Sequence, residues 1–203
     1  VGNGMYGVYF YYGGTLSNSV VCADGTGDYA VYRNSTGYTL NSDRNLLFAT
    51  NGAAVGYSGG VRTTLADWRT ATGMDANSFS LDPQFANPAG GDYHLKSVEG
   101  RYLAAAVWTN DTVHSPCIDA GDPASAWTNE PVPNGGRVNL GAYGNTEQAS
   151  KSLTNATYTI QVISDRGTAF PPVGSYTYYD GTPLTFQILP EQIVGSTQYV
   201  CTG

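Results

Sequence analysis

Basic residues are scarce in this sequence. Its 203 residues include 9 Lys and Arg against 16 Asp and Glu, which gives a net charge of -7. A protein that binds nucleic acid needs clustered cations to neutralise the phosphates. The charge balance therefore argues against nucleic acid as a partner.

Long apolar runs and closely spaced cysteines are missing too. No apolar stretch approaches the roughly 20 residues of a membrane-spanning helix. The cysteines stand far apart, at Cys22, Cys117 and Cys201, and neither a CxxC pair nor a Cys/His spacing predicts zinc. Cys22 and Cys117 are expected to be small buried side chains, with a disulfide as the alternative.

Glycine and tyrosine are abundant. The chain contains 26 Gly and 16 Tyr, whereas charged residues make up only 12%. This composition is typical of turn-rich β structure with tyrosines on half-wet sheet faces, and not of helical bundles. Apolar residues reach 41% and fall in short regular runs, which argues against disorder.

The opening part of the chain contains a repeat. MYGVYFYYGGTLSNSVVCADGTG is followed by DYAVYRNSTGYTLNSDRNLLFATNG and then by AAVGYSGG. Each unit has short apolar strands separated by Gly/Ser/Asn turns, and it buries its faces only by stacking in parallel on copies of itself. The repeat aligns Val8 with Val31, Tyr9 with Tyr32, Leu16 with Leu40, and Val20 and Val21 with Leu46 and Leu47. It predicts two columns of stacked side chains: Val8, Val31 and Val55, and Tyr9, Tyr32 and Tyr57.

One helix is predicted, over TLADWRTATG. Thr64 is a suitable N-cap, Leu65 and Trp68 give an apolar stripe, and Gly73 is a suitable C-terminal stop. Short strands are expected in LDPQF and DYHLK, with turns between them. Such irregular elements suit the end of a stack, where open backbone donors and acceptors must be covered.

The repeat units, followed in order by SLDPQF, GDYHL, SPCIDAGD and NLGAYG, resemble the C-terminal end of secreted bacterial right-handed parallel β-helix proteins, the pectate-lyase-like solenoids. The resemblance covers residues 1–150 and departs at Cys117, where the family commonly has a small residue such as Ala. It implies an all-β fold in which the last rungs (single turns of the coil) of a right-handed parallel β-helix end in a cap. It carries little information on activity, because many such proteins are surface or repeat proteins.

The composition changes after Ser150, and residues 151–203 form a predicted second domain. KSLTNATYTIQVISDRG alternates apolar and polar residues, as an antiparallel strand with one wet face does. With PPVGSYTYYDGTPLTF and QYVCTG, this segment resembles small β repeat modules of bacterial surface proteins, which implies a small antiparallel β-sandwich-like unit. That family often has a second cysteine where Thr185 and Phe186 stand here, which puts a disulfide to Cys201 in doubt.

The stretch SPCIDAGDP allows two interpretations. Asp119 and Asp122 are candidate calcium ligands, because calcium takes six to eight oxygen ligands. The favoured alternative is a closing strand and turn, in which Asp119 bonds turn amides, Gly121 supplies a left-handed conformation and Asp122 initiates a turn before Pro123.

Catalytic patterns are weak. A uronate lyase of this class needs a base and, usually, calcium held by several acidic groups on one face. Arg33 and Arg44 lie in the repeat, but no acidic cluster recurs beside them, so a solvated charged face is predicted and no residue is assigned a catalytic role. His94, in DYHL, is expected to be a packed or hydrogen-bonded strand residue.

The candidate ligand-binding residues are Tyr9, Tyr32 and Tyr57. Stacked at the rung spacing, they would offer a platform to sugar rings, whose C–H faces pack on aromatic rings while hydroxyls bond at the rim. The alternative is structural, since tyrosine is a good β former on a half-wet surface.

Three functions follow from these observations. The first is a non-catalytic structural or adhesive segment of a secreted or cell-surface protein that contacts polysaccharide, with calcium as the one cofactor considered. The second is the C-terminal piece of a polysaccharide lyase or hydrolase whose catalytic rungs precede Val1. The third is a subunit of an extracellular filament, built by end-to-end pairing of the first rung with another copy.

Overall fold

The computed structural model describes residues 5–154, 157–163, 169–170, 172–179, 187–188, 191–194 and 197–200. The chain divides into two compact units, Val1–Leu153 and Thr154–Gly203. The identity of the second unit as a separate surface module stays a prediction. None of the helices in these described ranges is both long and apolar enough to cross a membrane.

The first unit is mostly β structure with one α-helix. Its elements are β1 (Tyr6–Phe10), β2 (Gly14–Ser17), β3 (Val20–Asp24), β4 (Tyr29–Arg33), β5 (Leu40–Asp43), β6 (Leu46–Thr50), β7 (Ala54–Ser58), β8 (Val61–Arg62), α1 (Leu65–Thr72), β9 (Phe85–Asn87), a 3-10 turn (Pro88–Gly90), β10 (Asp92–Leu95), β11 (Arg101–Ala104) and β12 (Val107–Thr109).

The first seven strands form three small parallel sheets. β1 pairs with β4 and β4 with β7, β2 pairs with β5, and β3 pairs with β6. Each of β1, β2, β3 and β4 is therefore hydrogen-bonded to the third strand after it, so the chain visits the three sheets in turn and then repeats the circuit. The short strand β8 runs antiparallel to β7 and ends the first sheet.

The strand register confirms the predicted tyrosine column. Tyr9 is opposite Tyr32, and Tyr32 is opposite Tyr57. Val8 also pairs with Val31, as predicted. These pairings follow from the repeat, because parallel stacking of like sequences places like residues at the same level of neighbouring strands.

The predicted third member of the valine column, Val55, is wrong by one residue. Val31 pairs with Gly56, although Val55 is buried in the same core. A Cβ atom at Gly56 would lie 2.6 Å from ring carbons of Trp68 and 2.8 Å from the carbonyl oxygen of Val31. The column ends at a glycine because the indole of Trp68, brought in by α1, occupies that space.

The predicted alignment of Leu16 with Leu40 is also wrong. The structure pairs Leu40 with Gly14 and Leu16 with Ser42. Residues 34–39 connect β4 to β5, whereas residues 11–13 connect β1 to β2. The longer connection shifts the register of the second sheet, while both leucines remain buried. In the third sheet Val20 pairs with Leu46 and Val21 with Leu47, as predicted.

Helix α1 is confirmed with both predicted caps. The Thr64 hydroxyl accepts a hydrogen bond from the Asp67 amide at 3.1 Å, and the Asp67 carboxylate accepts from the Thr64 amide at 3.1 Å. Gly73 ends the helix in the left-handed conformation, at φ 69°. Leu65 and Trp68 are the buried residues of this helix, so its apolar stripe closes the core over β7.

The predicted closing strand in SPCIDAGDP is wrong, because residues 116–119 form a turn and residues 115–123 contain no strand. Cys117 and Ile118 are buried with Leu46, Leu95 and Leu140 in a second core cluster. The left-handed residue is Asp119, at φ 55°, and not Gly121. Gly121 is required for a different reason: a Cβ there would lie 2.3 Å from Val138 Cγ1.

The second unit contains antiparallel strand pairs. Its strands are β13 (Thr157–Val162), β14 (Ala169–Phe170), β15 (Gly174–Tyr179), β16 (Gln187–Ile188), β17 (Glu191–Val194) and β18 (Thr197–Val200). β13 pairs with β15, β14 with β16, and β17 with β18. The sandwich-like arrangement stays a prediction, and Thr185, Phe186 and Cys201 lie outside the described residues.

Candidate functional site

The three predicted tyrosines form a ring stack across the first sheet, called here the tyrosine stack (Tyr9, Tyr32 and Tyr57). The ring centroids of Tyr9 and Tyr32 are 5.2 Å apart with an interplanar angle of 6°. Those of Tyr32 and Tyr57 are 4.7 Å apart at 7°. The parallel register of β1, β4 and β7 sets this spacing, which matches the separation of neighbouring strands.

Further tyrosines surround the stack and form a continuous aromatic area. Tyr6 and Tyr29 contact Tyr32 at centroid distances of 4.5 and 5.5 Å. A chain of ring contacts also runs from Tyr9 onward, through Tyr11 and Tyr12 to Tyr38. We call the whole set the tyrosine surface: Tyr6, Tyr9, Tyr11, Tyr12, Tyr29, Tyr32, Tyr38 and Tyr57.

Solvent reaches different parts of the two groups of rings. Within the stack Tyr32 lies between the rings of Tyr9 and Tyr57, so its two ring faces are covered. Tyr11, Tyr12 and Tyr38 are 58%, 59% and 47% exposed and lie beside the stack. These outer rings therefore offer apolar area, and the stack holds three phenol groups at regular spacing.

The central hydroxyl of the stack, that of Tyr32, stays protonated near neutral pH. Removal from water, together with the charge of neighbouring phenols, raises the pKa of the Tyr32 hydroxyl above the ordinary value of 10.0. A protonated phenol both donates and accepts hydrogen bonds. The row can therefore exchange hydrogen bonds with hydroxyl groups of a ligand.

The two calcium candidates bond to different partners. Asp119 accepts a hydrogen bond from the Ser152 hydroxyl at 2.8 Å. Burial raises the pKa of the Asp119 carboxyl, although this hydrogen bond and the charge of Arg137 act to lower it. Asp122 lies 3.7 Å from Arg44 and accepts from the Ala124 amide at 3.0 Å. In the described part of the chain, no group of three or more His, Cys, Asp or Glu side chains is placed to hold a metal. Calcium binding by this pair stays a prediction.

His94 is a packed strand residue, as predicted. It is buried on β10, with Nδ1 2.6 Å from a carboxylate oxygen of Asp92, and its ring stacks on Tyr143 at 3.7 Å. Arg101 joins the same group, at 3.4 Å from Asp92 and 3.0 Å from Asp111. These contacts hold β10 against β11, and they hold β11 against Asp111, which follows β12.

The sequence interpretation missed a groove against the third sheet. This β3–β6 groove has a volume of about 610 Å³. Cys22 and Asp24 of β3 and Phe48 and Thr50 of β6 line one side, and residues 82–85, Pro88, Tyr93 and Lys96 line the other. No short motif marks it, because its two sides are separated by more than thirty residues in the chain.

Comparison with protein families relates part of the chain to a known family. Residues 62–121 are similar to a protein family described as disaggregatase related. This segment runs from β8 through α1, β9 and β10 to the turn at Gly121, and it contains SLDPQF, GDYHL and all but the last residue of SPCIDAGD. No curated protein and no solved structure matches the chain significantly.

Proposed function

We propose that this chain is a non-catalytic segment of a secreted or cell-surface protein, in which the terminal rungs of a right-handed parallel β-helix present the tyrosine surface to glycans. The pairing of each of β1–β4 with the third strand after it supports the β-helix. The similarity of residues 62–121 to disaggregatase-related proteins supports an extracellular or surface context.

The observation that carries the proposal is the near-parallel stack of Tyr9, Tyr32 and Tyr57. A rigid row of hydroxyls at strand spacing suits a polymer of sugar units, which repeats its own hydroxyls along its length. The exposed rings of Tyr11, Tyr12 and Tyr38 suit the C–H faces of the sugars. Tyrosine also loses little conformational entropy when it binds, because only two torsions are fixed.

Affinity electrophoresis tests the proposal. The full chain is run through gels that contain a neutral glucan or an acidic polygalacturonate, beside a reference gel without polysaccharide. We expect retardation by at least one polymer, and a loss of about tenfold in affinity for Tyr12→Ala and for Tyr32→Ala, since aromatic anchors of an interface contribute on this scale. Tyr57→Phe keeps the stack and removes one hydroxyl, so it separates hydrogen bonding from ring packing.

Tyr102→Ala is the matched control, because Tyr102 lies on β11 and packs against Trp108, outside the tyrosine surface. It is expected to migrate as the parent chain does. Equal retardation of the parent, Tyr12→Ala and Tyr32→Ala would remove the tyrosine surface as the binding site. Migration unaffected by either polymer would contradict glycan contact itself.

A further inference from the structure

The β3–β6 groove has the size and lining of a binding site for a small ligand. Its volume of about 610 Å³ falls within the range of about 300–1,000 Å³ that ligand sites occupy. Phe48 stands on one side, and Phe85 and Tyr93, packed edge to face at 5.4 Å, stand on the other. Aromatic walls with a few polar groups are the usual composition of such sites.

Two carboxylates in the groove are held in place by local hydrogen bonds. In each carboxylate, only one of the two oxygens accepts these bonds. Oδ1 of Asp24 accepts from Thr50 Oγ1 at 3.1 Å and from Asn51 Nδ2 at 2.6 Å. Oδ1 of Asp82 accepts from the Gln84 amide at 2.8 Å. Among the described residues, neither Oδ2 atom has a hydrogen-bond partner. Each side of the groove thus carries one positioned carboxylate with a free acceptor oxygen.

The Cys22 thiol in the groove is unsuited to nucleophilic chemistry. Burial raises the pKa of the Cys22 thiol to about 11, so the thiol is protonated near neutral pH and is a poor nucleophile. Cys22 lies between Val20 and Asp24 on β3 and contributes to the apolar part of the lining.

We infer that the β3–β6 groove binds a neutral oligosaccharide, with sugar rings against Phe48 and Tyr93 and sugar hydroxyls donating to Asp24 and Asp82. The aromatic side chains match the C–H faces of pyranose rings, and ionised carboxylates are strong acceptors for hydroxyl donors. The site is separate from the tyrosine surface and does not depend on the function proposed for that surface.

The charge and hydrogen-bonding groups of the lining select this ligand class. Asp24 and Asp82 outnumber the one cation, Lys96, so a polyanionic glycan meets net repulsion. A peptide is less suitable, because strand faces and not strand edges line the groove, and peptide amides would be buried with few partners. Sugar hydroxyls need only side-chain acceptors.

Protection of Cys22 from alkylation is the test, because this thiol reports on the groove directly. The full chain is treated with iodoacetamide at a pH of about 9, where a pKa of about 11 leaves about 1% of the thiol as thiolate, so that labelling is slow enough for its rate to be followed, and peptide-level mass spectrometry assigns the label. The probes are hexamers of glucose, mannose and N-acetylglucosamine, with hexagalacturonate and a tryptic digest of serum albumin as comparators. Cys117 is fully buried and is expected to stay unlabelled throughout, which confirms that the chain remains folded.

We expect at least one neutral hexamer to slow the labelling of Cys22 at concentrations up to millimolar, and hexagalacturonate to be much less effective. Asp24→Asn and Asp82→Asn should each weaken the protection at least about tenfold, as expected for hydrogen bonds to a charged group. Glu147→Gln, a matched change outside the groove, should leave it unchanged. Tyr32→Ala should also leave it unchanged, so failure of the tyrosine surface and failure of the groove are distinguishable.

Three outcomes would overturn the inference. The first is labelling of Cys22 at the same rate with all three neutral hexamers as without them. The second is protection by hexagalacturonate or by the peptide digest in preference to the neutral sugars, which would assign the groove to another ligand class. The third is protection by a neutral hexamer that survives in both the Asp24→Asn and Asp82→Asn variants.

Discussion

The indole Nε1 of Trp68 donates a hydrogen bond to a carboxylate oxygen of Asp75 at 2.8 Å, inside the core of the first unit. Asp75 is 1% exposed and Trp68 is 0% exposed. The other carboxylate oxygen of Asp75 accepts from the Ser78 hydroxyl at 2.6 Å and from Asn45 Nδ2 at 3.2 Å. One carboxylate therefore joins the helix, the strand circuit and the segment that follows the helix.

Replacement of this carboxylate should destabilise the first unit strongly. Asp75→Ala leaves the buried donors of Trp68 and Ser78 without their acceptor and removes one of the three acceptors of Asn45 Nδ2, so we expect a loss of about 3 kcal/mol or more in the free energy of unfolding. Urea unfolding followed by tryptophan fluorescence measures it, because all three tryptophans lie in the first unit. Asp24→Ala, at an exposed carboxylate, is the control. A loss below about 1 kcal/mol for Asp75→Ala would contradict the role given to this network.

Local signals made several features predictable from the sequence. The N-cap at Thr64, the apolar pair Leu65 and Trp68, and the terminal Gly73 are all decided within one short segment. The stack of Tyr9 on Tyr32 was predictable for a related reason, since two consecutive repeats carry the same residues in the same order.

Features set by distant parts of the chain could not be predicted. Val55 failed as the third valine of its column because Trp68, which belongs to a later element, occupies the space beside Gly56. The β3–β6 groove was missed because Phe85 and Tyr93 come from a segment with no counterpart in the repeat. The left-handed backbone conformation in SPCIDAGDP was predicted at Gly121 because of its residue type. In the structure Asp119 adopts that conformation.

The close approach of Gly56 and Trp68 gives a second prediction. Gly56→Ala adds a methyl group within 2.6 Å of the indole and 2.8 Å of a backbone carbonyl. The backbone oxygen cannot move away as a flexible side chain does, so we expect a loss of about 1–3 kcal/mol, the usual cost of an overpacked core. The same urea unfolding measurement applies.

Gly37→Ala is the matched control for that substitution. A Cβ at Gly37 would meet nothing closer than the Ser35 hydroxyl at 3.5 Å, which is an ordinary contact. We expect its stability to stay within about 0.5 kcal/mol of the parent, as for most surface changes. Equal stability of the Gly56→Ala and Gly37→Ala variants would show that Trp68 is not packed against β7 as described.

Glu130 gives a prediction about pH. Its side chain is 4% exposed, and Oε1 accepts from the amides of Asn139 and Asn145 at 2.8 Å each. Burial nevertheless raises the pKa of the Glu130 carboxyl above its ordinary value of 4.5, with Asp119 adding to the rise. The Glu130 carboxyl therefore holds its proton more tightly in the folded chain than in the unfolded chain. The stability from this group is fully present below the ordinary pKa and is lost as the pH rises through the raised value.

Glu130→Gln keeps an acceptor for both amides and removes the titration. We expect the variant to be at least as stable as the parent near pH 7, with its advantage shrinking as the pH falls to about 4, where the parent carboxyl becomes protonated. Urea unfolding at a series of pH values measures this difference. Glu147→Gln, at an exposed position, should show no comparable change with pH. A Glu130→Gln variant that is less stable than the parent by the same amount at every pH would mean that Glu130 is ionised in the folded protein at no cost, and that burial does not control its pKa.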